Sequence, residues 1–271
     1  MKGWSLDDIP WQRFDPDKVD PDLLAAVKAA ALVESNGRDY EAYLHKVFPA
    51  DLAFGAAASA WAVEEVRHGE ALGRWASLAD PSFDYQASLA RFRDGYQLPV
   101  DVEKSVRGTR SGELIARCVV EAGTSSFYSA LSAAAEEPVL KEVCRLIAAD
   151  EFRHYKLFYD TLGVYLDNEK IGRWRRIRVA LGRIFESEDD ELAFAYFCGN
   201  DLPAPYRRRH CSQAYARRVY SIYREGHLAR AVAMVLKAAG IRPRGRLGRA
   251  LGRVAWGFVR WRGARLAAAQ S

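Results

Sequence analysis

The chain has 271 residues, 49% apolar and 28% charged, a balance that can fill a sizeable core and argues against global disorder. No apolar run approaches the roughly 18 residues that span a bilayer, and Met1–Pro10 carries Asp7 and Asp8 with no apolar h-region, so a secretory signal is excluded and a cytoplasmic address is expected. The net charge of +5 hides a division: residues 201–271 hold 15 Arg and one Lys against Asp201 and Glu225, a net of +14, and residues 1–200 sum to −9.

Residues 1–20 read as an irregular leader, with Trp4 and Trp11 draped on the surface. From there Ala, Leu, Glu and Arg recur at helical spacing, and no long stretch alternates with period two. The pattern predicts a first helix over about Pro21–Val47, a turn at Pro49-Ala50-Asp51 and a second helix over about Leu52–Leu78. A connection with Pro81, Gly95 and Pro99 follows, holding a short helix near Tyr85–Phe92. A third helix is expected over about Val102–Ala134, and a fourth from Pro138 to about Leu166. Further helices are expected at about 169–186, 188–198, 206–239 and 246–267. Short turns join antiparallel neighbours, and the long link at 79–101 lets the second hairpin cross over. The expected fold is all-α, a four-helix bundle with one crossover plus additional C-terminal helices. Its parts would be a leader at 1–20, a bundle at 21–200 and a basic helical extension at 201–271. Cys118, Cys144, Cys198 and Cys211 form no CxxC pair and read as buried thiols.

Two Glu-x-x-His steps stand out, Glu65–His68 and Glu151–His154. Residues three apart share a helix face, so each carboxylate and imidazole project together. Glu34 lies 31 residues before Glu65, and Glu121 lies 30 before Glu151, so the halves repeat with offsets of 87 and 86. Each of the four glutamates is 13–17 residues from its turn, about 20–25 Å at 1.5 Å per residue, which sets them at one depth in the bundle. Four bare carboxylates in a core need compensation, and two divalent cations supply it. Mixed carboxylate and imidazole ligands suit iron or manganese. A Glu from each of two helices and a Glu-x-x-His from each of the other two is the general pattern of di-metal carboxylate bundles. Glu65 and Glu151 would bridge the ions. Glu64 and Asp150, directly before those ligands, would accept the free imidazole N–H of the facing histidine. Arg67 and Arg153 are expected to pair with acids on adjacent helices, and His45, His210 and His227 to be structural.

Glu64-Glu65-Val66-Arg67-His68-Gly69-Glu70 resembles the EE-x-RHG segment of soluble acyl-carrier-protein desaturases, members of the ferritin-like di-iron carboxylate superfamily. Asp150-Glu151-Phe152-Arg153-His154 resembles their DE-x-RH segment, Glu121-Ala122-Gly123-Thr124 their Glu-x-x-Thr, and Val33–Leu44 their first ligand helix, with Tyr40 matching the tyrosine after the ligand. The similarity covers roughly residues 22–165. It implies an O2-activating oxidoreductase with two Fe ions (Mn possible), an acyl substrate on acyl carrier protein and a ferredoxin-like electron donor. Thr124 would be the catalytic hydroxyl, donating a hydrogen bond or proton at the metals. Phe127, Tyr128, Phe158 and Tyr159 would wall an acyl channel. The basic tail would meet an acidic partner or a membrane surface, and a homodimer is possible. Other readings stay open: a di-iron hydroxylase of a non-lipid substrate, including a modified tRNA base with the tail as its RNA footprint; a ferritin-like iron-oxidising protein; and a metal-free structural bundle.

Overall fold

The computed structural model describes residues 3–98, 102, 104–186, 190–243 and 245–268. Pro99 of the predicted connection, the first two leader residues, the start of the helix predicted at 188 and the last three residues of the tail lie outside them. Among the described residues there is no strand. The helices are α1 (Pro21–Glu34), α2 (Gly37–Val47), α3 (Leu52–Ala79), α4 (Tyr85–Gly95), α5 (Arg110–Ala134), α6 (Pro138–Glu169), α7 (Arg173–Phe185), α8 (Asp190–Gly199), α9 (Arg208–Ile222), α10 (Glu225–Ala238) and α11 (Arg246–Ala268). No helix is long and apolar enough to cross a membrane.

Local chemistry sets the helix starts. Asp20 accepts from the amides of Asp22 and Leu23, Asp51 from Phe54, Thr109 from Gly112, and Glu137 from Val139 and Leu140, while Pro21 and Pro138 each begin a helix where no amide is needed. α5 and α6 pack along their lengths, α1 and α2 lie on α3, and α3 meets α6. The apolar core splits into two clusters, one around Leu32, Trp75, Phe92 and Leu140, the other around Leu44, Trp61, Leu114 and Phe158. Glu65, His68, Glu121, Glu151 and His154 lie on helices that contribute to both clusters, and Glu34 ends α1, which packs in the first.

The expected first helix is two helices. It breaks at Ser35–Asn36, directly after Glu34. Ser35 turns its hydroxyl back to the carbonyl of Ala31 and Asn36 reaches the carboxylate of Glu191 on α8, so both polar side chains leave the helical register. Gly37 then passes so close to α3 that a Cβ there would sit 2.7 Å from the Glu65 Cβ. Gly69, one residue after His68, makes the same allowance, for its Cβ would lie 2.3 Å from the Ser35 hydroxyl. The third helix starts at Arg110 and not near Val102, because Gly108 adopts a left-handed turn (φ +79°) ahead of the Thr109 cap. The helix expected over 206–239 is α9 and α10, separated at Tyr223–Arg224, where the chain leaves its packing on α1 and α8 and turns onto α5.

The leader is less irregular than expected and more tightly docked. It forms three single turns of 3-10 helix, Leu6–Asp8, Trp11–Arg13 and Pro16–Lys18. Ile9 is buried in the core, and Trp4 stacks on the His68 ring (centroids 5.9 Å apart, planes 9° apart). The four cysteines are buried free thiols.

Candidate metal centre

Glu34, Glu65, His68, Glu121, Glu151 and His154 converge. Their ligand atoms fall into two groups, Glu34–Glu65–His68–Glu151 and Glu65–Glu121–Glu151–His154, each with its atoms within 4.8 Å of one another. Each group could hold a metal ion, and Glu65 and Glu151 belong to both. The helix that carries each residue explains the convergence. Glu34 ends α1, Glu65 and His68 share one face of α3, Glu121 is midway along α5, and Glu151 and His154 share one face of α6.

The two halves support each other across the bundle. His68 places Nε2 3.1 Å from Asp150 Oδ2 on α6, and His154 places Nε2 2.8 Å from Glu64 Oε2 on α3. A carboxylate can only accept, so each Nε2 carries a proton; burial would lower both imidazoles, but the surrounding carboxylates push His68 well up and His154 up to about 9, so each Nδ1 offers its lone pair to a cation that displaces its proton. Asp150 also accepts from Trp4 Nε1 (2.9 Å), Arg67 Nη2 (2.9 Å) and Arg153 Nη1 (2.5 Å). Burial would raise the Asp150 pKa, but His68 and Arg153 hold it well below the usual range. The hydrogen bond from His154 lowers that of Glu64. Arg67 and Arg153 therefore pair with acids of the facing helix as expected, Arg67 with Asp150 and Arg153 with Glu64.

The inward-facing atoms are a different case. Glu34 Oε2, Glu65 Oε1, Glu151 Oε1 and both histidine Nδ1 atoms are buried and make no hydrogen bond. His154 Nδ1 is 2.9 Å from Glu65 Oε1 and His68 Nδ1 is 3.2 Å from Glu151 Oε1, yet neither contact has hydrogen-bond direction. Burial, with the charges of Glu151 and Glu34 beside it, pushes Glu65 up to about 8, and burial with Glu151 and Glu65 pushes Glu121 well up. Five orphaned atoms of hard or borderline donors, aimed at shared points, fit divalent cations.

Thr124, one turn beyond Glu121, donates to Glu151 Oε2 at 2.5 Å and also leans on the carbonyls of Val120 and Glu121 at 3.3 Å. Tyr128 donates to Glu34 Oε1 at 2.5 Å. The sequence placed Tyr128 in a channel wall and gave it no partner. A cavity of about 350 Å³ opens from the cluster. Glu34, Glu65, Glu121 and Glu151 line it together with Val119, Phe127, Tyr128, Leu192 and Val219, and the partly exposed Arg183, Ser212, Tyr220 and Tyr223 belong to the same wall. Phe158 and Tyr159 are not in its wall. Phe158 packs edge-on against Trp61 and Phe54, and Tyr159 stacks on Tyr155 under Lys237. A helical repeat of aromatics does not say which side of the helix meets the cavity.

Beside the cluster lies a polar group that the sequence did not disclose. Glu191 on α8, buried, accepts from Asn36 Nδ2 (3.0 Å) and Tyr40 OH (2.7 Å), and the Arg117 guanidinium lies 4.4 Å over the Tyr40 ring. Glu191 ends an acidic run that reads as a solvated surface, so no signal in the sequence marks it. His45 and His227 sit outside the cluster, His45 against Ser59 and His227 capping α10. No protein-family model matches the chain, and no curated protein matches it.

Proposed function

We propose that the chain is a ferritin-like di-iron oxidoreductase that activates O2 and oxidises a C–H bond of an acyl chain. One observation carries the proposal: two buried carboxylate–imidazole groups that share Glu65 and Glu151 stand beside a mostly apolar cavity. The EE-x-RHG and DE-x-RH segments support the ferritin-like topology with one crossover and the acyl substrate class.

Glu34, Glu65 and His68 with Glu151 would hold one ion, and Glu121 and His154 with the same two shared glutamates the other. A bound di-iron pair supplies the redox chemistry for O2 activation, with two electrons per turnover from a ferredoxin-like donor. Manganese fits the same donor set. The chain's own part is positional. Asp150 and Glu64 fix the histidine tautomers and aim Nδ1 inward. Thr124 holds a proton at Glu151 Oε2 and Tyr128 holds one at Glu34 Oε1, on the cavity side of the cluster. Val119, Phe127, Leu192 and Val219 exclude water from the bound chain and fix which carbons lie beside the metals.

The test is metal content and O2 consumption. Wild-type protein is expected to bind two iron or manganese ions per chain, and Glu151→Ala to lose the pair. Reduced wild-type protein should consume O2 faster with a fatty acyl thioester, on carrier protein or free. Full two-metal occupancy in Glu151→Ala overturns the ligand assignment. Indifference to acyl thioesters together with a response to another small molecule overturns the substrate class in favour of a hydroxylase.

A further inference from the structure

Two helices of this protein wear their apolar residues on the outside. In α11 the buried positions include Gly248 and Gly252, and a Cβ at Gly252 would lie 3.5 Å from the Ala229 backbone on α10. Small residues thus let α11 press against α10, with Val259 buried beside them, while a row of large residues faces away. Leu247, Leu251, Val254 (67% exposed), Phe258 and Trp261 (57%) follow one another at spacings of four, three, four and three residues, which is a single continuous stripe. α7 repeats the arrangement. Trp174 (84% exposed), Leu181 and Phe185 (80%) share a face, and of its residues only Ala180 is buried. Residues of this size are rarely exposed in contiguous stripes without an interaction to explain them.

Charge narrows what could cover the stripes. α7 contains Arg173, Arg175, Arg176, Arg178 and Arg183, α11 contains Arg246, Arg249, Arg253, Arg260, Arg262 and Arg265, and neither helix has an acid. A symmetric contact with a second copy would set this cationic face against itself. A nucleic acid would answer the arginines and stack on the aromatics but leave Leu181, Leu251 and Val254 without an apolar partner, and an acidic soluble protein is the rival that the carrier-protein measurement below separates. A bilayer with anionic head groups answers both. Arginines reach the phosphates while indole, phenyl and branched side chains sink to the acyl boundary.

The two helices also come to the same place. Arg183 of α7, Tyr220 of α9 and Tyr223 directly after α9 line the cavity and are partly exposed, which makes them its rim. Over Tyr220 stands the Arg262 guanidinium of α11 at 5.8 Å, and a Cβ at Gly263 of α11 would lie 3.5 Å from the Tyr220 Cβ. We infer that α7 and α11 together dock this protein on an anionic phospholipid surface, with the rim of the cavity between them. The docking stands on the two helices alone. That the docked rim receives an acyl chain from the lipid layer rests on the function proposed above.

Vesicle flotation with the full chain tests it. Protein should float with vesicles of phosphatidylcholine and phosphatidylglycerol, stay behind with phosphatidylcholine alone, and release as salt is raised. Phosphatidylglycerol with brominated acyl chains should quench the protein's tryptophan fluorescence. That quenching should fall in the double variant Trp174→Phe, Trp261→Phe, which should still float. The double variant Phe185→Asp, Phe258→Asp should keep its helical circular dichroism and lose vesicle affinity by about tenfold or more. No flotation with anionic vesicles overturns the inference. Flotation without quenching, or flotation unchanged by the two aspartates, also overturns it, because charge adhesion alone would then suffice. Binding to an acidic carrier protein with no binding to vesicles overturns it in favour of a protein partner. Each measurement runs with and without metal, so a protein that floats but takes no iron sinks the oxidoreductase reading and leaves the docking intact.

Discussion

Two buried acids, one capping α6 and one within it, have opposite surroundings. Glu137, the cap, accepts from Trp75 Nε1 (2.7 Å) and from the amides of Val139, Leu140 and Asp15. Glu151, four turns on, takes a bond from Thr124 to one oxygen and leaves the other without a donor, as do Glu34 and Glu65 near it. Both acids are buried, each 1% exposed. The first is a carboxylate satisfied by the protein, so it needs nothing more and ties α3, α6 and the leader together. The second is a set that the protein declines to satisfy, and that difference, more than the presence of acids, marks a metal centre.

The comparison breaks most readily at Glu137. Glu137→Ala strands the Trp75 indole and removes the α6 cap, so chemical denaturation should show a loss of about 3–5 kcal/mol, the same with and without metal. Metal should act only on the other region. Iron or manganese at 100 times its dissociation constant should raise stability by about 2.7 kcal/mol per site, and a chelator should return the melting curve to its starting point. Glu65→Met should then separate the two kinds of burial. In metal-free protein it removes an acid that burial already pushes up to about 8, and denaturation should show a gain of about 1–2 kcal/mol. With metal present the variant should gain nothing. The smallest effect lies on the cavity side. A Cβ at Gly123 meets nothing within 4 Å, so Gly123→Ala should stabilise α5 by about 0.5–1 kcal/mol in a thermal or urea melt.

The convergence of the candidate ligands was legible because helix geometry turns spacing into position. Thirty-one and 30 residues through a tight turn bring Glu34 to Glu65 and Glu121 to Glu151, and three residues bring each histidine alongside. Asp150 and Glu64 were legible for the same reason, one residue from a ligand and pointed at the neighbouring helix. Contacts between segments distant in the chain were not. Trp4 reaches His68 from a leader with no periodicity, and Glu191 reaches Asn36 and Tyr40 across 155 and 151 residues. The break at Ser35–Asn36 lies in Ala- and Leu-rich sequence whose helix propensity is high, and tertiary bonds overrule that propensity. The sequence also read the basic tail as a single feature, whereas α7, outside it, carries the same exposed pattern.

Gly37 and Gly69 bring α1, α2 and α3 together to backbone contact beside one half of the site. In the ligand repeat, 87 and 86 residues on, their counterparts are Thr124 and Tyr155. Thr124 brings a hydroxyl to Glu151 beside the open space at Gly123, and Tyr155 reaches away to the Met234 carbonyl on α10. The repeat of acids and histidines is therefore not a repeat of surroundings. One ion would sit in a tight pocket with Tyr128 on its Glu34 ligand, the other beside the void at Gly123. Two chemically equal ligand sets would thus yield two inequivalent irons, and Mössbauer spectra of the loaded protein should resolve them as separate quadrupole doublets.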